Sequence, residues 1–200
     1  MNSLDFMNLL VGWHYDGSKN LSQAGMQVLK KMIIHQDSGL AMLDFAKSRK
    51  NLTDYDYWCL LGILYIHGGY WSFMSPNLWR LLLNSSRSQR NMIMQPFERR
   101  ALKNLPEKVV CYRIHHSKEE HDWISYTISS WLIPKFVKAY RKHDAFYSVE
   151  KFEVAKQDID FFFGRNYEDE IVVLDRSKVK KTKEVNNDRI IRFRKFREVN

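Results

Sequence analysis

At Pro106 the hydrophobic rhythm of this chain changes, and any fold it adopts must bury two kinds of element. Before that point apolar residues recur every three or four positions; after it they come in short β-branched and aromatic runs. In "LSQAGMQVLKKMII", Leu21, Met26, Val28, Leu29, Met32 and Ile33 mark one helix face, with Ser22 as its cap. "GLAMLDFAKSRK" predicts a second helix that ends basic, as a helix C-terminus prefers. "TDYDYWCLLGILYIHGG" begins at a capping Thr53 and is apolar nearly all round, which predicts a central buried helix. The stretch from Ser75-Pro76 to Leu105 is interrupted at Ser85-Ser86 and at Pro96 and should break into two or three helices.

Beyond Pro106, "KVVCYRI", "DWISYTI", "FYSVEKFEV" and "EIVVLD" read as strands. "SSWLIPKFVKAYRKH" reads as a short helix with Pro134 in its first turn. "RSKVKKTKEV" and "DRIIRFRKF" alternate like one or two exposed edge strands. The expected class is α+β, with a helical N-terminal half (1–104), a compact β core (105–180) and a basic C-terminal strand or tail (181–200), together forming one compact unit.

Charge sharpens that division. From Arg176 to Asn200 ten Lys/Arg face three Asp/Glu, so +7 of the net +9 sits in the tail and the first 175 residues carry +2. Such a tail either stays solvated or meets nucleic acid, a ribonucleoprotein or another acidic surface. Cys59 and Cys111 both lie in apolar stretches, where a reduced buried thiol is expected. The N-terminus lacks a basic leader and carries Asp5, and the longest apolar run, Tyr57 to Ile66, is too short to span a bilayer. A cytoplasmic protein without membrane attachment is therefore expected.

Three polar features stand out in the β half, each weak taken singly. Arg113 ends a strand, where a lone Arg is usually a surface charge. Ser125 and Thr127 alternate on "ISYTI", as the polar face of any half-buried strand does. Glu168 and Glu170 alternate ahead of "IVVLD", which would set both carboxylates on one face and leave Asp169 pointing away into solvent. His115, His116 and His121 fall in one loop, but their spacing fits no zinc pattern, so no metal is expected. Neither a phosphate-binding glycine loop nor a dinucleotide glycine fingerprint is present.

Together, "LPEKVVCYRI", "DWISYTI" and "VAKQDIDFFFGRNYEDEIVV" resemble, in order, the three signature regions of the ADP-ribosyltransferase fold in its arginine–serine–glutamate class. The resemblance covers Leu105 to Leu174 and is closest to short transferase-like proteins of bacteriophages and bacteria. It implies a mono-ADP-ribosyltransferase that uses NAD as co-substrate, modifies a protein (arginine favoured), and acts in the cytoplasm, the host's if phage-encoded. Cleaving the nicotinamide–ribose bond develops oxocarbenium-like charge, which a fixed carboxylate stabilises.

By the resemblance that carboxylate is Glu170, steadied by Ser125 with Thr127 behind it. Glu168 would orient or deprotonate a guanidinium acceptor. Arg113, in the pair Tyr112-Arg113, would grip the pyrophosphate or ribose, and the backbone of Ile114 would meet the nicotinamide amide. Trp123, Tyr126 and Phe163 would wall the nicotinamide, and Asn166 and Tyr167 would form the acceptor loop. Ile114 stands where the family usually has Gly, and "RNYEDE" has one residue more than the usual pattern, which leaves two registers open for the glutamates. The alternative implied is a degenerate member that inhibits a protein or nucleic-acid complex by binding alone, with no need for Arg113, Ser125 and both glutamates to converge.

Overall fold

A computed structural model describes residues 20–35, 40–67, 76–115, 123–142, 148–164 and 168–184. The chain divides into two compact units, Met1–Arg100 and Ala101–Asn200. The N-terminal unit is helical and the C-terminal unit is built on an antiparallel sheet, so the α+β class holds.

In the N-terminal unit, helix α1 (Gln23–Ile34) opens on Ser22, whose hydroxyl accepts the Gly25 N–H at 3.1 Å. The helix buries Val28, Leu29 and Met32, the stripe anticipated from their spacing. Helix α2 (Leu40–Ser48) follows, and then α3 (Asp54–His67), which starts where the Thr53 hydroxyl accepts the Asp56 N–H at 3.1 Å. Along α3, every residue from Tyr57 to Ile66 except Gly62 is a buried hydrophobic, so this is the central helix of its unit.

Even the acidic first turn of α3 is engaged. Asp56 is buried and accepts both the backbone N–H and the hydroxyl of Ser22, at 2.9 and 2.5 Å, which ties the start of α1 to α3. Arg87 binds the Leu52 and Arg49 carbonyls and the Asp54 carboxylate at 2.8 to 2.9 Å while lying over the Tyr57 ring. The long fourth pattern breaks as expected into α4 (Pro76–Leu83), a 3-10 turn at Arg90–Ile93 and α5 (Pro96–Asn104). Pro96 occupies the first turn, where no amide donor is needed, and the Gln95 N–H donates to the Glu98 carboxylate at 2.7 Å.

The C-terminal unit contains a six-stranded sheet in the order β4-β5-β2-β1-β3-β6, every neighbouring pair antiparallel. Its strands are β1 (Lys108–His115), β2 (Ser125–Thr127), β3 (Ser148–Ala155), β4 (Phe161–Phe163), β5 (Glu170–Val172) and β6 (Lys180–Glu184). Helix α6 (Ile133–Lys142) joins β2 to β3, with Pro134 in its first turn as anticipated. It packs Ile133 and Val137 on Ile114 and Val149 of the sheet. Strand β6 is the expected basic edge strand; the second expected one, within 185–200, lies outside the described residues. Among the described residues no helix is long and apolar enough to cross a membrane.

Gly62 gives the helical core its tightest constraint. A Cβ there would stand 2.3 Å from the Ile93 carbonyl oxygen, and backbone cannot yield as a flexible side chain can. Gly62→Ala should therefore destabilise the protein by about 3 kcal/mol, the upper range for overpacking, read as a lowered urea midpoint.

Candidate functional site

The register of the sheet assembles the cleft. Tyr112 of β1 sits opposite Thr127 of β2, and Thr127 sits opposite Glu170 of β5, so the three side chains form a row on one face. Ser125, two residues before Thr127, shares that face, and its hydroxyl donates to Oε1 of Glu170. Tyr112, Arg113, Ile114, Ser125, Thr127, Phe136, Tyr140, Glu168 and Glu170 line one solvent-open cleft.

By strict alternation Arg113 belongs to the opposite face from Tyr112. It nevertheless borders the cleft. Its Nη1 donates to the Ser125 carbonyl of the neighbouring strand at 3.4 Å. Ile114 is buried against α6, and its backbone runs along the cleft wall in ordinary extended geometry.

Two neighbouring glutamates reach this cleft by different means. Glu170 is fixed by strand pairing on both sides, to Thr127 and to Phe163. Glu168 precedes the strand, in a bend, and its backbone carbonyl accepts the Thr127 hydroxyl at 2.7 Å. Between them Asp169 adopts a left-handed backbone with φ of 44°, a conformation that Asp tolerates better than most residues. This corrects the expectation of simple strand alternation. Nor is Asp169 merely solvated: its carboxylate accepts from the Ser129 hydroxyl and its carbonyl from the Ile128 N–H at 2.9 Å. Of the two glutamates, it is Glu170 whose carboxylate the Ser125 hydroxyl meets.

Burial pushes the Glu168 carboxyl above its usual range, and nearby Lys135 opposes that shift without cancelling it. Burial also raises the Tyr112 phenol. A half-buried carboxyl with raised proton affinity is a stronger proton acceptor than an ordinary surface carboxylate.

Three expected wall residues are core residues instead. Tyr126 points to the opposite face from Ser125 and Thr127, with its ring edge-on to Phe152 at 5.4 Å and burial pushing its phenol up to about 12. Trp123 lies edge-on to His115 at 4.5 Å, under the Arg176 guanidinium at 4.0 Å. Phe163 stands opposite Glu170 but one strand further from the cleft, buried and stacked on Phe161.

The aromatic wall comes from Tyr112 and from α6, whose Phe136 and Tyr140 stack at 6.2 Å. They were not singled out in the sequence; their spacing of four residues on one helix is the signal that could have found them. Asn166 and Tyr167 lie outside the described residues, as do His116 and His121. His115 is directed to Glu150 at 3.2 Å. Both cysteines are buried, and burial pushes the Cys111 thiol up to about 12, which makes it a poor nucleophile.

Compared with protein-family models, with curated proteins and with solved structures, the chain has no match.

A carboxyl whose folded-state proton affinity is raised stabilises the fold while protonated, and that stabilisation is lost as pH rises through its folded value. Ionised Glu168 is thus a cost at neutral pH. Glu168→Gln should raise Tm near neutral pH, and the difference should vanish below about pH 4, where Glu168 is protonated in the unfolded chain too. Thermal melts across that range check it.

Proposed function

We propose that the C-terminal unit is a transferase that cleaves a glycosidic bond of a nicotinamide dinucleotide, in the arginine–serine–glutamate class of ADP-ribosyltransferases. More particularly, it is a mono-ADP-ribosyltransferase that passes ADP-ribose from NAD to an arginine of a protein, in a phage–host or bacterial conflict. The observation that carries this reading is the convergence of Arg113, Ser125 and Glu170, from three separate segments, on one cleft with Glu168 beside them.

The cleft residues fit NAD chemically. Arg113 offers a planar cation suited to a pyrophosphate. Tyr112, Phe136 and Tyr140 offer apolar faces for the flat nicotinamide ring. NAD supplies the bond that breaks, from nicotinamide nitrogen to ribose carbon, with the electron pair leaving on a neutral nicotinamide. Glu170 faces the positive charge that develops on the ribose, and the Ser125 hydroxyl fixes the angle of that carboxylate. Glu168 accepts the proton that a guanidinium gives up as one of its nitrogens bonds to the ribose carbon, and releases it to water.

Incubation of the protein with labelled NAD and bacterial lysate should label a protein acceptor and release nicotinamide. Glu170→Ala should lower both by about a hundredfold to a thousandfold, as expected when a group stabilising transition-state charge is removed. Arg113→Lys should raise KM for NAD, because a point charge cannot replace a guanidinium fork. Absence of nicotinamide release from the wild type would leave the binding-only alternative in its place.

A further inference from the structure

The two cleft glutamates are held to the sheet unequally. Glu170 has β-ladder neighbours on both sides and the Ser125 hydroxyl on its carboxylate. Glu168 lies before the strand: its carbonyl is bound by Thr127, nearby Lys135 faces its charge, and it is joined to β5 through the left-handed backbone at Asp169. That backbone is itself clamped by residues just past β2. Ile128 N–H binds the Asp169 carbonyl, the Ser129 hydroxyl binds the Asp169 carboxylate, and the Ser129 N–H binds the Thr127 hydroxyl at 3.1 Å, which in turn binds Glu168. Ser129 is buried, and its N–H bond to the Thr127 hydroxyl is shielded from competing water.

We propose that Asp169, clamped by Ser129, is a positioning residue that decides where the reaction goes: it holds Glu168 toward the cleft for a guanidine acceptor, while Glu170 keeps its place without it. The inference rests on the transferase reading. Bond cleavage depends on Glu170, which the sheet holds; proton removal from the acceptor depends on Glu168, which the clamp holds. Loosening the clamp diverts the ribose from guanidine to water, so that free ADP-ribose forms in place of the ADP-ribosyl guanidine. The same nicotinamide leaves in both cases, and the proton released comes from water in one and from the guanidinium in the other.

Side-chain chemistry separates the two parts of the clamp. Asn tolerates the left-handed region and can still accept from Ser129; Gly tolerates it without the bond; Ala does neither. The test supplies NAD with agmatine as a small guanidine and measures nicotinamide, free ADP-ribose and the agmatine adduct for wild type, Asp169→Ala, Asp169→Gly, Asp169→Asn and Ser129→Ala, with a thermal melt of each.

In Asp169→Ala the ratio of adduct to free ADP-ribose should fall by about a hundredfold, the effect of displacing a reacting group by about an ångström, while nicotinamide release changes by less than about threefold. Asp169→Asn should restore the ratio, and Asp169→Gly and Ser129→Ala should fall between. A wild-type ratio in both Asp169→Ala and Ser129→Ala, or a parallel loss of adduct and nicotinamide release in both, overturns the inference and leaves the transferase reading standing. A wild type that releases no nicotinamide overturns the transferase reading itself, and one that hydrolyses NAD without forming adduct overturns the role of Glu168 and this inference with it.

Discussion

Three residues of β2 connect the sheet to its cleft. Ser125, Tyr126 and Thr127 pair with β5 along their whole length and with β1 at Thr127, so this short strand joins the β4-β5 hairpin to the rest of the sheet. Because side chains alternate, the same pairing that sends Tyr126 into the core against Phe152 sends Ser125 and Thr127 into the cleft. A slip of one residue would exchange the two faces, burying the hydroxyls and exposing the phenol. The apolar contacts of Tyr126 therefore specify the register that sets Ser125 beside Glu170.

Around that register the site concentrates features that a sheet optimised only for stability would avoid. Glu168 is half-buried with its proton affinity raised, Asp169 carries a left-handed backbone, and Arg113 borders an open cleft against the alternation of its own strand. Each has a compensating support nearby: Lys135 for the Glu168 charge, Ser129 and Ile128 for the turn, and the packing of α6 on Ile114 and Val149 beside the opening. Strain and unfavourable charge held in place by surrounding bonds are what a binding or catalytic cleft requires.

Much of this was legible in the sequence where a local rule applied. The caps at Ser22 and Thr53, the break at Pro96 and the first-turn position of Pro134 all follow from which backbone amides need a partner. The strand runs after Pro106 were legible from β-branching, although β2 and β5 are shorter than their apolar runs. Strand β4 was not anticipated, because "FFF" has no alternation to mark it and gains its place only by pairing with β5. Trp123, Tyr126 and Phe163 looked like pocket walls because aromatic residues near a polar motif can pack on either side of a sheet. The choice went to the core, and the α6 residues Phe136 and Tyr140 took the wall instead.

The sequence by itself determined the helices, most of the strands and the order of the chemistry-bearing residues, since hydrophobic periodicity, caps and breakers act over a few positions. It determined too that Ser125 and Thr127 share a face, because alternation within one strand is local. Only the tertiary structure decided that the carboxylate of Glu170 meets the Ser125 hydroxyl across 45 positions of chain, that Arg113 borders the cleft against the alternation of its own strand, and that Asp169 turns left-handed to bring Glu168 alongside. Those outcomes depend on which strands pair and which distant hydroxyl clamps a turn, and such terms arise only when segments far apart in the chain compete for the same partners.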